Sequence, residues 1–126
     1  MIYSSSVDLI KDVIKPTPKQ REFMRAVNHH RYTLYGGAAG GGKSYILRWE
    51  LVYLLLRMYK HTKQKGIRVG LFCESYPALK DRQISKIRME FPEWLGSYKE
   101  STCEFTLTDA LGAGAICFRN LDNPAK

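Results

Sequence analysis

The stretch YGGAAGGGKSY, residues 35–45, constrains this chain more than any other. Five of the ten glycines fall within it, and residues 37–44 fill every position of the pattern G-x-x-x-x-G-K-[ST] with Gly37, Ala38, Ala39, Gly40, Gly41, Gly42, Lys43 and Ser44. The pattern has a mechanical meaning. Where side chains are absent, successive backbone N–H groups can curl around phosphate oxygens, and the helix that follows presents the positive end of its dipole. Lys43 would reach the β- and γ-phosphates of a nucleotide, and the Ser44 hydroxyl would sit on a magnesium ion bridging them. Four fixed positions also arise by chance, so the flanks carry the weight. Residues 31–35, rich in β-branched and aromatic types, read as a strand that ends at the glycines. From Ser44 the run SYILRWELVYLLLRMYK has no Gly or Pro and is apolar around most of its circumference, which predicts a helix mostly enclosed by protein. A flexible glycine linker, the plain alternative, would require neither Lys-Ser at its end nor apolar elements on both sides.

Upstream, Pro16-Thr17-Pro18 breaks any helix begun in residues 1–15 and separates that N-terminal segment from the rest. A start signal follows at once. Thr17 is suited to the N-cap, Pro18 to the first helical position, and Gln20, three residues after the cap, completes a T-x-x-Q capping box. The helix is expected to run to about His29 with Gln20, Phe23 and Val27 on one face. Downstream, HTKQKG reads as a polar turn and IRVGLFC, residues 67–73, as a strand buried on both faces. Pro77 opens a further helix with Leu79, Ile84, Ile87 and Phe91 inward and Pro92 as its stop. Then the period changes: Cys103, Phe105 and Leu107 alternate with Glu104, Thr106 and Thr108, and Ala115, Ile116, Cys117 and Phe118 follow DALGAG, a hairpin signal.

Twenty Lys and Arg against twelve Asp and Glu give a formal charge of +8, which favours a polyanionic partner such as nucleic acid without proving one. The three cysteines, Cys73, Cys103 and Cys117, form no CxxC pair, and His29, His30 and His61 share no ligand spacing with them. Reduced, mostly buried thiols in a cytosolic protein are expected rather than a disulfide or a zinc site. The start lacks the charged and apolar regions of a signal peptide, and the most apolar run, residues 51–56, is far too short to span a bilayer.

Three motifs in order, PTPKQREFM, GGAAGGGKS and GLFCESYPALKD, resemble the start of the ATPase domain of a tailed-phage terminase large subunit, the motor that pumps viral DNA into an empty capsid. The resemblance spans residues 16–126. It implies a P-loop NTPase of the RecA-like type: an α/β domain with a parallel sheet flanked by helices, here with a β-hairpin near residue 126. It also implies ATP and Mg²⁺ at residues 37–44, with Lys43 catalytic and Ser44 on the metal, and it gives Gln20 the role of reading adenine. A glutamine in a capping box can equally be there only to cap its helix. Lys80, Arg82, Lys86 and Arg88 fall in the segment that faces DNA in related motors, and Arg82 and Lys86 share a helical face at i, i+4. A solvated charged face is the plainer reading of any one of them. A translocating motor grips phosphate without reading sequence, which scattered basic residues suit.

Two departures from the family pattern matter. Ala39 stands where many relatives carry an arginine that senses the γ-phosphate, so that charge would have to come from elsewhere, such as a neighbouring subunit. No apolar run ending in Asp-Glu follows the glycines: Glu74, Asp81, Glu90, Glu93, Glu100, Glu104, Asp109 and Asp122 are isolated. The strand that would hold magnesium and activate water, and the nuclease domain of the family, are therefore expected beyond residue 126. Residues 16–126 alone are expected to hydrolyse ATP weakly or not at all, to lack sheet neighbours for their strands and to expose apolar surface. For the intact protein the resemblance implies double-stranded DNA, the portal protein and the small terminase subunit as partners. It further implies a homo-oligomeric ring, no membrane, and a location at the procapsid portal in the cytoplasm of the bacterial host, not outside the cell. The alternatives are a helicase-like P-loop NTPase outside packaging and an inactive prophage or trimmed fragment.

Overall fold

A computed structural model describes residues 13–33 and 43–121, which divide between Glu50 and Leu51 into two compact units. The first holds helix α1, Pro18–His29, and the opening turns of helix α2, Lys43–Thr62. The α1 start is the capping box its sequence announces: the Thr17 hydroxyl accepts from the Gln20 N–H at 3.2 Å, and Gln20 Oε1 accepts from the Thr17 N–H at 2.9 Å. Gln20 and Met24 are its buried residues, with Phe23 and Val27 half-buried, so the inner stripe follows i, i+4, i+7 through Met24. The strand expected over residues 31–35 does not begin at its predicted start. Arg31 and Tyr32 form a bend and Thr33 is irregular, while the remainder lies outside the described residues. Tyr32, one of the two aromatics in that run, is 84% exposed.

Helix α2 is enclosed as its composition predicts: Ile46, Trp49, Val52, Leu55 and Leu56 are buried. It closes with Lys60 and His61 in its last turn, where cations suit the dipole, and Lys63 turns the chain out in left-handed backbone at φ 61°. Among the described residues no helix is long and apolar enough to cross a membrane.

The second unit is a four-stranded sheet with its helical elements. Strand β1 is Arg68–Cys73, β2 Gly96–Lys99, β3 Glu104–Leu107 and β4 Ala115–Asn120, in the spatial order β1-β4-β3-β2. The fold is thus α/β with an open sheet, but the sheet is mixed where a parallel one was expected. Among the described strands only β1 and β4 run parallel, and β3 pairs antiparallel with both β4 and β2. The predicted hairpin is present, with Phe105 opposite Ile116.

Two expectations about residues 67–73 are corrected. First, β1 does not lack a neighbour, because β4 pairs with it over all six residues from Arg68↔Ala115 to Cys73↔Asn120. The return is sharp: a 3₁₀ turn, Asp109–Leu111, leads to Gly112 at φ +103°, and the Ala115 N–H then donates to Ile67 O at 2.8 Å. A Cβ on Gly112 would stand 2.6 Å from the Tyr59 ring, so this turn requires glycine on both counts. Second, β1 is not buried on both faces. Leu71 and Cys73 are buried, whereas Arg68, Gly70 and Phe72 are exposed, Phe72 by 58%. Continuous burial belongs to β4, the inner strand, through Ala115, Ile116, Cys117 and Phe118.

Between β1 and β2 the chain forms helix α3, Tyr76–Leu79, a π-helical turn, Lys80–Ile84, and helix α4, Ser85–Glu90. Ser75 caps the start, its hydroxyl accepting from the Ala78 N–H at 3.2 Å. In the wide turn the Ser85 N–H reaches Lys80 O five residues back. The inner face is corrected at one position: the apolar Ile84, expected inside, is half-buried, and the polar Gln83 takes its place in a buried set of Leu79, Gln83, Ile87 and Phe91, spaced by four. One π turn among α turns keeps that four-residue spacing on one line. Phe91 then meets Phe105 of the sheet, ring centroids 4.7 Å apart.

Candidate nucleotide-binding site

Of the residues assigned to a phosphate cradle, Lys43 and Ser44 are described as the first two residues of α2, both half-buried. Gly37, Ala38, Ala39, Gly40, Gly41 and Gly42 lie outside the described residues. An α-helix leaves its first N–H groups without intrahelical partners and carries partial positive charge there. The first turn of α2 has no acidic residue to repel an anion. A lysine and a serine at that position supply one cation and one hydroxyl, a donor set that fits a phosphate with its magnesium ion.

The residue after them ties this helix start to another part of the unit. The Tyr45 hydroxyl donates to the Ile14 carbonyl at 2.8 Å. Ile14 stands six residues before Gln20, so one hydrogen bond connects the head of α2 with the segment leading into the capping box. Sequence reasoning gave Tyr45 no role, since a contact across 31 positions leaves no local signal. Gln20 does cap its helix, with its side chain carbonyl engaged by Thr17 and the residue 5% exposed.

Arg48 and Glu50, given no site role from the sequence, are both buried. Their signal was present: in a helix apolar around most of its circumference, a charge cannot always find a solvent face. Buried charges of this kind persist only where partners hold them.

In the second unit Lys80, Arg82, Lys86 and Arg88 are all exposed. With four residues per turn through the middle of this helical stretch, Arg82 and Lys86 stay in one row and Lys80 and Arg88 in another. Arg82 pairs with Glu74, just past the end of β1, at 3.3 Å, both side chains more than half exposed. A pair so open to water contributes about 0–1 kcal/mol and yields readily to a competing anion. A second ionic group spans β1, β3 and β4, where the Glu104 carboxylate takes hydrogen bonds from Arg68 and Arg119. Arg68, foremost, holds that carboxyl below its usual range against the opposing effect of desolvation. Burial pushes the Cys73 and Cys117 thiols up, and all three cysteines are free.

No protein-family model, curated protein or solved structure matches this chain.

Proposed function

We propose that this chain is the ATP-binding portion of a viral DNA-packaging terminase large subunit, in which ATP hydrolysis drives double-stranded DNA into the capsid. The observation that carries the reading is the pair Lys43–Ser44 at the head of a buried helix, directly after a glycine run that satisfies the phosphate-loop pattern. Lys43 would hold the β- and γ-phosphates, Ser44 the magnesium ion, and the glycine run the phosphate oxygens through its backbone N–H groups. Bound magnesium would neutralise charge developing between the β- and γ-phosphates. Gln20 would read the adenine while its carbonyl keeps the cap. The rows Arg82/Lys86 and Lys80/Arg88 would meet DNA phosphates, with Arg82 exchanging Glu74 for phosphate. The intact protein would act as a ring on the portal in the host cytoplasm, with the small terminase subunit delivering the DNA.

A second reading is favoured by one observation. No Asp-Glu pair closes an apolar strand after the glycines, and β4 itself ends in Arg119-Asn120. This stretch by itself would then bind nucleotide without turning it over, whether within a motor, a helicase-like NTPase or a remnant.

Calorimetric titration of the chain with MgATP, beside Lys43→Ala, tests the reading. Wild type is expected to bind at least about tenfold tighter, the worth of a charge-assisted hydrogen bond to phosphate. Equal, weak binding by both would remove the cradle. For the DNA side, Lys80→Ala with Lys86→Ala should weaken duplex binding and flatten its salt dependence by about two unit steps.

A further inference from the structure

One long-range hydrogen bond joins the segment before α1 to the head of α2. The Tyr45 hydroxyl donates to Ile14 O at 2.8 Å across 31 positions of chain, and Ile14 is itself buried. From Ile14 to Gln20 the backbone has little freedom. Lys15 is in left-handed conformation at φ 50°, which a non-glycine residue adopts only where its surroundings hold it. Pro16 and Pro18 each lock φ, and Thr17 and Gln20 exchange the two capping bonds. A shift at Ile14 is therefore passed along to Gln20 rather than absorbed between them. At the other end of the bond, Tyr45 follows Lys43 and Ser44 directly.

We propose that Tyr45 is a positioning residue for base recognition, its hydroxyl setting where Gln20 stands relative to the phosphate-binding head of α2. The inference rests on the reading of residues 37–44 as a phosphate cradle and of Gln20 as the residue that meets the base. The base and the phosphates of one nucleotide are joined covalently, so a side chain that reads the base must be held at a matching distance from the groups that hold the phosphates. A hydrogen bond weakens steeply once its geometry is lost, so a small displacement of Gln20 costs discrimination before it costs phosphate binding. The hydroxyl of Tyr45 acts on base choice through Ile14, and Lys43 and Ser44 act on the phosphates directly.

Tyr45→Phe removes the hydroxyl and keeps the ring. The full chain is titrated with ATP, GTP and tripolyphosphate, each with Mg²⁺, for wild type, Tyr45→Phe, Gln20→Ala and the double variant. Tripolyphosphate affinity should stay within about twofold in Tyr45→Phe, which also serves as its folding control, while the preference for ATP over GTP falls by about 3–10-fold, one hydrogen bond's worth. The double variant should lose no more preference than Gln20→Ala alone, because both changes act at one point. An unchanged ATP preference in Tyr45→Phe overturns the proposal. So does an equal loss for tripolyphosphate and ATP, which would make Tyr45 a support of the helix alone, and so do additive losses in the double variant. Wild type that binds tripolyphosphate with no preference for ATP overturns it at Gln20, and wild type that binds neither overturns it at the cradle.

Discussion

Strands β1 and β4 lie side by side, parallel and each six residues long, yet only β4 is buried residue after residue. In β4 the run AICF is buried on both faces, and β1 and β3 cover its two edges. In β1 the run RVGLFC buries alternate residues, because the strand stands at the edge of the described sheet and one of its faces is open. Two apolar strands of equal length can thus do different work. The inner one holds the sheet together, and the edge one carries the chain to Glu74 and to the helical stretch with the basic rows. An edge strand with Arg68 and a glycine on its open face is also protected from pairing with another chain better than an apolar one would be.

The contrast is sharpest in the core. Ile116→Ala in β4 should destabilise by about 2–5 kcal/mol in urea denaturation, the range for a fully enclosed aliphatic side chain. A loss below about 1 kcal/mol would mean that the inner strand is not the structural centre. Next comes the turn that brings β4 home. Gly112→Ala meets both a positive φ and the Tyr59 ring, and a loss of about 1–3 kcal/mol is expected from the same measurement.

A pH effect follows from Glu104, which joins the two strands from the side of β3. Its folded pKa lies below the unfolded value, so its contribution is fully present above an unfolded pKa of about 4.3 and fades as pH falls through the lower folded one. Acid titration of stability should therefore be shallower below pH ~4.3 for Glu104→Gln than for wild type. Parallel curves would show that the Arg68 bond does not persist in solution. The smallest effect belongs to the edge: Phe72→Ser should change stability by less than about 0.5 kcal/mol, as for an exposed site. Thiol labelling gives the comparison a chemical readout. Cys73 and Cys117, raised by burial, should react slowly with a disulfide reagent at pH 7, and half-exposed Cys103 should react first.

Much was legible where the signal is local. The Thr17–Gln20 cap, the α1 end at His29, the start of α2 beside Ser44 and the pairing of β3 with β4 all follow from residue types at fixed short spacings. The candidate cradle was legible for the same reason, since a phosphate loop is a contiguous run. The inner face of the helical stretch was legible at Leu79, Ile87 and Phe91 and missed at Gln83, a polar residue that stands on the buried side in place of the apolar Ile84. Arg48 and Glu50 were visible as charges but not as buried ones.

The sequence by itself determined the local elements, the charge, and a glycine run with Lys43 and Ser44 at its end, because each depends on neighbours within about one helical turn. Tertiary structure alone decided that β4 lies between β1 and β3, that β1 shows one face to solvent, and that Tyr45 reaches Ile14. The β1–β4 pairing and the Tyr45–Ile14 bond join residues 47 and 31 positions apart in the chain, and periodicity carries no information over such distances.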